Sequence, residues 1–110
     1  MNIGRRSSAR TRDSSSSLRL LHLAVRNGSE AIAEALLTAG ASANSRDESG
    51  ALPLHLAVQH RRRSIAGLLL AYGADPDAAN AEGITPLELA VRYQDEDTVN
   101  LLISRGARVV

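Results

Sequence analysis

The sequence contains no cysteine, no lysine, no phenylalanine and no tryptophan. Without cysteine there can be no disulfide, no thiolate metal site and no cysteine nucleophile, and an intracellular setting is compatible with that absence. Without lysine there is no side-chain ammonium for Schiff-base chemistry. All 13 basic residues are Arg, which we read as a codon-composition bias. Tyr72 and Tyr93 are the only aromatics, so a core must be assembled from Leu, Ala, Val and Ile, a mixture that lets helices approach closely. No stretch nears the roughly 18 consecutive apolar residues of a membrane span, and no apolar secretory segment opens the chain. The expectation is a soluble protein of the cytoplasm or nucleus. A length of 110 residues leaves room for one compact domain or a short solenoid.

What charge there is falls unevenly. Residues 1–17 hold Arg5, Arg6, Arg10 and Arg12 against Asp13, together with six Ser, whereas the remainder holds nine Arg against eleven acids, a net −2. With only Met1, Ile3 and Ala9 apolar, the tail cannot bury enough surface to offset its ordering entropy and is expected to be disordered. Its Arg/Ser runs have the composition of basic-directed kinase substrates. They also weakly resemble a mitochondrial transit peptide, although the tail has no amphipathic face.

From residue 18 onward the chain repeats itself. Leu21-His22-Leu23-Ala24-Val25, Leu54-His55-Leu56-Ala57-Val58 and Leu87-Glu88-Leu89-Ala90-Val91 recur at a step of 33 residues, as do Gly40-Ala41, Gly73-Ala74 and Gly106-Ala107. Leu36-Leu37, Leu68-Leu69-Leu70 and Leu101-Leu102-Ile103 lie between those anchors in the same register. In this period and pattern the chain resembles the ankyrin-repeat family, in which each unit is a turn plus two antiparallel helices. The family's Thr-Pro-Leu-His core is spread over the copies as Arg19-Leu20-Leu21-His22, Leu52-Pro53-Leu54-His55 and Thr85-Pro86-Leu87-Glu88. The resemblance implies an all-α solenoid of three helix-turn-helix units, about residues 18–46, 47–79 and 80–110, joined by finger-like β-turn loops.

Local chemistry supports the same units. Thr85 is an N-cap, Pro86 sits where a missing N–H costs nothing, and Glu88 completes a capping box. Leu52 and Arg19 occupy the equivalent cap positions and forgo about 1 kcal/mol each, with Ser17 able to substitute in the first copy. Inner helices are predicted at about 19–26, 53–60 and 86–93, and outer helices at about 30–38, 64–71 and 97–104. Gly40, Gly73 and Gly106 end the outer helices, and 44–50 and 76–83 form the fingers. Between the helices Gly28 is replaced by Arg61 and Gln94, which costs on the order of 1 kcal/mol at each if those positions need a positive φ. No polar cap follows Val99, Leu102 and Ile103, so the C-terminal end is expected either to be marginal or to be covered.

Candidate chemistry is sparse. The resemblance implies that His22 and His55 make structural hydrogen bonds between adjacent units, and ligand spacings for a metal are missing. His60 reads as a surface contact. No Ser/His/Asp arrangement, phosphate loop or carboxylate pair can be assembled, so the chain is expected to be neither catalytic nor cofactor-dependent. Asp95-Glu96-Asp97 complements the dipole of the last outer helix. Arg61-Arg62-Arg63 reads as a solvated turn or as a basic spot for an acidic partner. By resemblance, a protein partner docks on the concave face built from turn tips and inner helices. The positions there that the fold is not expected to dictate are Arg26, Asn27, Glu48, Ser49, Ala51, Gln59, His60, Glu82, Ile84, Arg92 and Tyr93, with Arg92 and Tyr93 the expected hot spots. Two alternatives stay open: an Arg-rich tail that binds nucleic acid or an acidic partner, and a segment of a longer assembly whose C-terminal face another copy covers.

Overall fold

A computed structural model describes residues 19–109; the Arg/Ser-rich tail, Ser17 and Val110 lie outside the described residues. Six helices and no strand occur among them. They are α1 (residues 19–27), α2 (Glu30–Thr38), α3 (Pro53–Gln59), α4 (Arg63–Ala71), α5 (Pro86–Arg92) and α6 (Glu96–Ser104). The all-α repeat solenoid expected from the 33-residue period is therefore what the chain forms. Helix bounds move by one residue at several ends, as fraying makes usual.

Each unit closes as an antiparallel pair, α3 on α4 and α5 on α6, and the pairs stack so that α3 packs on α5 while α4 touches both α2 and α6. The stacking is visible as a gradient of burial along equivalent positions. Val25 and Val58 are 0% and 1% exposed because a following unit covers them, whereas Val91 is 56% exposed. On the opposite side Ile32 is 56% exposed and Ile65 only 2%, because a preceding unit covers the latter alone. Each such burial contributes about 1.5–3 kcal/mol, so the seam between units is the main source of stability. Ala24, Ala57 and Ala90, all buried, leave room for neighbouring inner helices to approach.

Magnitudes explain the poor cap of α3. Leu52 is the N-cap and offers no side-chain hydrogen bond, but it is buried in the core. Burying a Leu contributes more than the roughly 1 kcal/mol a cap supplies, so packing outweighs capping there. In the third unit the Thr85 hydroxyl does accept from the Glu88 N–H, at 3.1 Å. The reciprocal half of the expected capping box is replaced: the Glu88 carboxylate accepts instead from Arg92, one turn on.

The turn between inner and outer helix needs a left-handed residue in every copy, with φ of +77° at Gly28 and +57° at both Arg61 and Gln94. Only the first copy meets this without a Cβ penalty. Replacing Gln94 by Gly should raise the urea-unfolding free energy by about 0.5 kcal/mol, the strain released less the entropy that Gly adds to the unfolded chain. Gly28→Ala should lower it by about 1 kcal/mol or more, since the added Cβ would also stand 2.8 Å from Arg62 Cζ. A Gln94→Gly midpoint at or below that of the parent would refute the strain argument.

Candidate interaction surface

The loops between units are organised by two side chains that periodicity of the helices does not reveal. Asp47 Oδ1 accepts from the Ser49 N–H at 2.8 Å, the Ser49 hydroxyl at 2.7 Å and the Ala51 N–H at 2.9 Å. One period later Asn80 Oδ1 accepts from the N–H groups of Glu82 and Ile84. Backbone bonds from Asp47 N–H to Ala51 O and from Asn80 N–H to Ile84 O close the same turns, with Gly50 and Gly83 at positive φ. These are Asx-turns, in which a short polar side chain stands in for a backbone acceptor. Burial alone would push the Asp47 carboxyl up, but the hydrogen bonds from Ala51 and Ser49 outweigh it and hold the group below its ordinary range.

Each finished turn then presents one carbonyl to the preceding inner helix. His22 Nε2 lies 2.8 Å from Ala51 O, and His55 Nε2 lies 2.7 Å from Ile84 O. A ring N–H must be the donor in each case, because a carbonyl oxygen only accepts. Burial holds His55 below its ordinary value of 6.5 despite the Ile84 bond, and its Nδ1 has no hydrogen-bond partner. Asn44 ties the turns together further out, donating to Gly73 O at 2.9 Å and accepting from the Asp75 N–H at 2.7 Å. Asp77, one period on, accepts from the Arg108 N–H at 2.8 Å.

The opposite edge of the stack is pinned by the arginine triplet. Arg62 crosses Gly28 and donates to Arg26 O in the preceding unit, at 3.0 Å. Its neighbours reach the following unit instead: Arg61 donates to Tyr93 O at 3.3 Å, and Arg63 lies 3.3 Å from Asp95 and 3.5 Å from Asp97. The run does form the helix–helix turn, with Arg61 and Arg63 exposed, and each of its three guanidinium groups also bonds within the chain. Asp95 is also more than a helix-dipole charge. It is the buried N-cap of α6, accepting from Thr98 Oγ1 at 2.7 Å and from the Thr98 N–H at 3.4 Å, and these bonds, the hydroxyl first, hold its carboxyl below its ordinary 3.8.

With the backbone of the turns satisfied in this way, the proposed contact residues separate into two groups. Arg26, Asn27, Gln59, Arg92 and Tyr93 are exposed on or just beyond the inner helices, His60 is half-buried at the end of α3, and Glu48 and Glu82 are exposed at the finger tips. Arg92 is held by Glu88 at 3.1 Å, with both side chains about half exposed. Ser49 is exposed and bonded to Asp47, and Ala51 and Ile84 are half-buried and supply the backbone carbonyls that the histidines grip. Among the described residues no group of three His, Asp or Glu side chains is placed to hold a metal ion. No helix described is long and apolar enough to cross a membrane.

The model of a family described as ankyrin repeats, three copies, matches residues 21–110. The chain is an ankyrin-repeat protein. No curated protein matches it. Ankyrin repeats are in general protein–protein interaction modules.

Acid should weaken the stack in two separate windows. His55 is neutral when folded and its pKa is depressed, so its contribution is complete above about pH 6.5 and falls as the unfolded chain gains a proton below that value. Asp95 and Asp47 are depressed carboxylates, whose contribution is present above about pH 3.8 and lost as the pH drops through their lower folded values. His55→Gln should flatten the upper window and leave the lower one intact. Asp95→Ala should cost about 2 kcal/mol at neutral pH, because a buried cap and an ion-pair partner go together. Urea titrations of the two variants across pH 3–8 check both; a parental slope between about pH 6.5 and 5 in His55→Gln would overturn the histidine assignment.

Proposed function

We propose that the protein is a non-catalytic adaptor that holds a protein partner on the face formed by its inner helices and finger tips. The supporting observation is an internal contrast between copies. The seam positions of the inner helix carry the same residues in all three, Leu21, Ala24 and Val25 matching Leu54, Ala57 and Val58 and then Leu87, Ala90 and Val91, even though Val91 at the end of the stack is exposed. The pair that follows, exposed except for the half-buried His60, is never the same twice, although Arg26 and Arg92 match: Arg26-Asn27, Gln59-His60 and Arg92-Tyr93. Packing demands the first set and leaves the second to be chosen by something outside the fold. A row of such side chains on a rigid stack offers a broad platform, which suits a macromolecular surface better than a small molecule.

Of the row, Arg92 and Tyr93 carry the largest expected share, since Arg and Tyr dominate interface energetics and Arg92 is already oriented by Glu88. A cytoplasmic or nuclear setting accords with the absence of cysteine. The Arg-rich tail as a nucleic-acid anchor draws no support from the stack, which is net acidic. Affinity capture with the full chain, followed by binding measurements on the partner recovered, tests the reading. The Arg92→Ala/Tyr93→Ala double variant should bind that partner at least about tenfold more weakly, a loss of 1.4 kcal/mol, while its unfolding midpoint moves little. Equal affinity in the double variant removes the pair from the contact surface.

A further inference from the structure

The two ends of the stack expose what its internal joints bury. At the N-terminal end Leu20, Leu23 and Ile32 are open, whereas their equivalents one unit later, Pro53, Leu56 and Ile65, are buried under the preceding unit. At the C-terminal end Val91 and Ile103 are open, whereas Val58 is covered and Leu70 partly covered by the following unit. Val109 adds to the same C-terminal surface, 73% exposed. Because all three units share one 33-residue register, the surface that leaves the third unit has the shape that the second unit offers to the third. The surface that enters the first unit has the shape that the second offers to the first.

We propose that a second copy of this chain docks head to tail, its Leu20, Leu23 and Ile32 face seating on the Val91, Ile103 and Val109 face of the first in the register of the internal joints. Charge at the two ends is complementary in that register. At the internal joints His22 and His55 meet the carbonyls of Ala51 and Ile84, each one residue before the N-cap of the next inner helix. Between copies Glu88 takes the sequence position of the histidine, and Arg19 takes the sequence position of Leu52 and Thr85. Each charge occurs in only one of the three copies, the acid at one end of the stack and the base at the other. Gln94 likewise replaces Arg61, the side chain that reaches the backbone of the following unit, and retains a donor. A heterologous contact of this kind extends by adding copies instead of closing as a symmetric dimer. The inner face stays open throughout, so the proposal stands or falls independently of partner binding there.

Sedimentation velocity of the full chain between about 10 µM and 1 mM should show a weight-average mass that climbs without a plateau at the dimer. Two variants separate the ends, Leu23→Glu/Ile32→Glu for one and Val91→Glu/Ile103→Glu for the other. All four positions are exposed, so both should fold, as circular dichroism and urea unfolding can verify. Each alone should stay monomeric, and an equimolar mixture should form a one-to-one dimer and nothing larger, because one intact face of each kind remains. Arg19→Glu and Glu88→Arg should each weaken association at least fivefold, and combining them in one chain should restore it. A parent that is monomeric at every concentration overturns the proposal. So does an associating parent whose two end variants fail to pair, or whose charge reversal fails to rescue.

Discussion

The apolar seam between successive two-helix units governs everything else in this molecule. The same residue type at the same place, Val at 25, 58 and 91, passes from fully buried to largely exposed solely because a neighbouring unit is or is not there. No unit carries a closed core of its own. Each depends on its neighbours for part of its burial, and among the described residues the middle unit, with Leu52 through Val58 buried without interruption, is the one with neighbours on both sides.

Hydrogen bonds and ion pairs between units serve a different purpose. Those made by Asn44, Arg61, Arg62 and Arg63 are largely exposed, and exposed polar pairs contribute at most about 1 kcal/mol each. Their value is geometric. The histidine and Asn44 bonds fix the finger edge of the stack, and the arginine triplet fixes the opposite edge, reaching backward with Arg62 and forward with Arg61 and Arg63. Two units joined by a greasy seam alone could rotate about it; pinned at both edges they cannot. The spacing of side chains along the inner face is thereby held constant, which a platform for a rigid partner requires.

The helices, their order and their ends were legible because period, capping and glycine placement are local or strictly repeated signals. Gly28, Arg61 and Gln94 could be recognised as one backbone position only by aligning the copies, and all three do adopt positive φ. The polar bonds were less legible, for different reasons. Asp47 and Asn80, and Asn44 and Asp77, are also 33 residues apart, so a signal existed, but it is carried by unlike residues in loops where such residues are common anyway. The bonds of the arginine triplet were not legible because a charge run in a sequence shows its density and not its partners: Arg61 and Arg62 bond backbone carbonyls, which leave no mark in composition, and Arg63 pairs with Asp95 and Asp97 of another unit. Asp95 was half legible. Its place before a helix marked it as favourable, yet its burial depends on Arg63 from another unit.

That difference in legibility reflects how the chain divides labour among its positions. Side chains facing the seam are repeated almost without change, because every joint must match the next. Loop polar groups repeat in role but not in identity, since Asp and Asn both accept where an Asx-turn needs an acceptor. Residues 26–27, 59–60 and 92–93 do not repeat as pairs, Arg26 and Arg92 being the one match among them, although the backbone beneath them is equivalent in all three copies. If stability alone had shaped them, equivalent environments would favour equivalent residues, as they do three positions earlier on the same helices. Their divergence on an otherwise periodic scaffold therefore locates the non-periodic information of the chain on its inner face, and a partner surface is the kind of object that could require it.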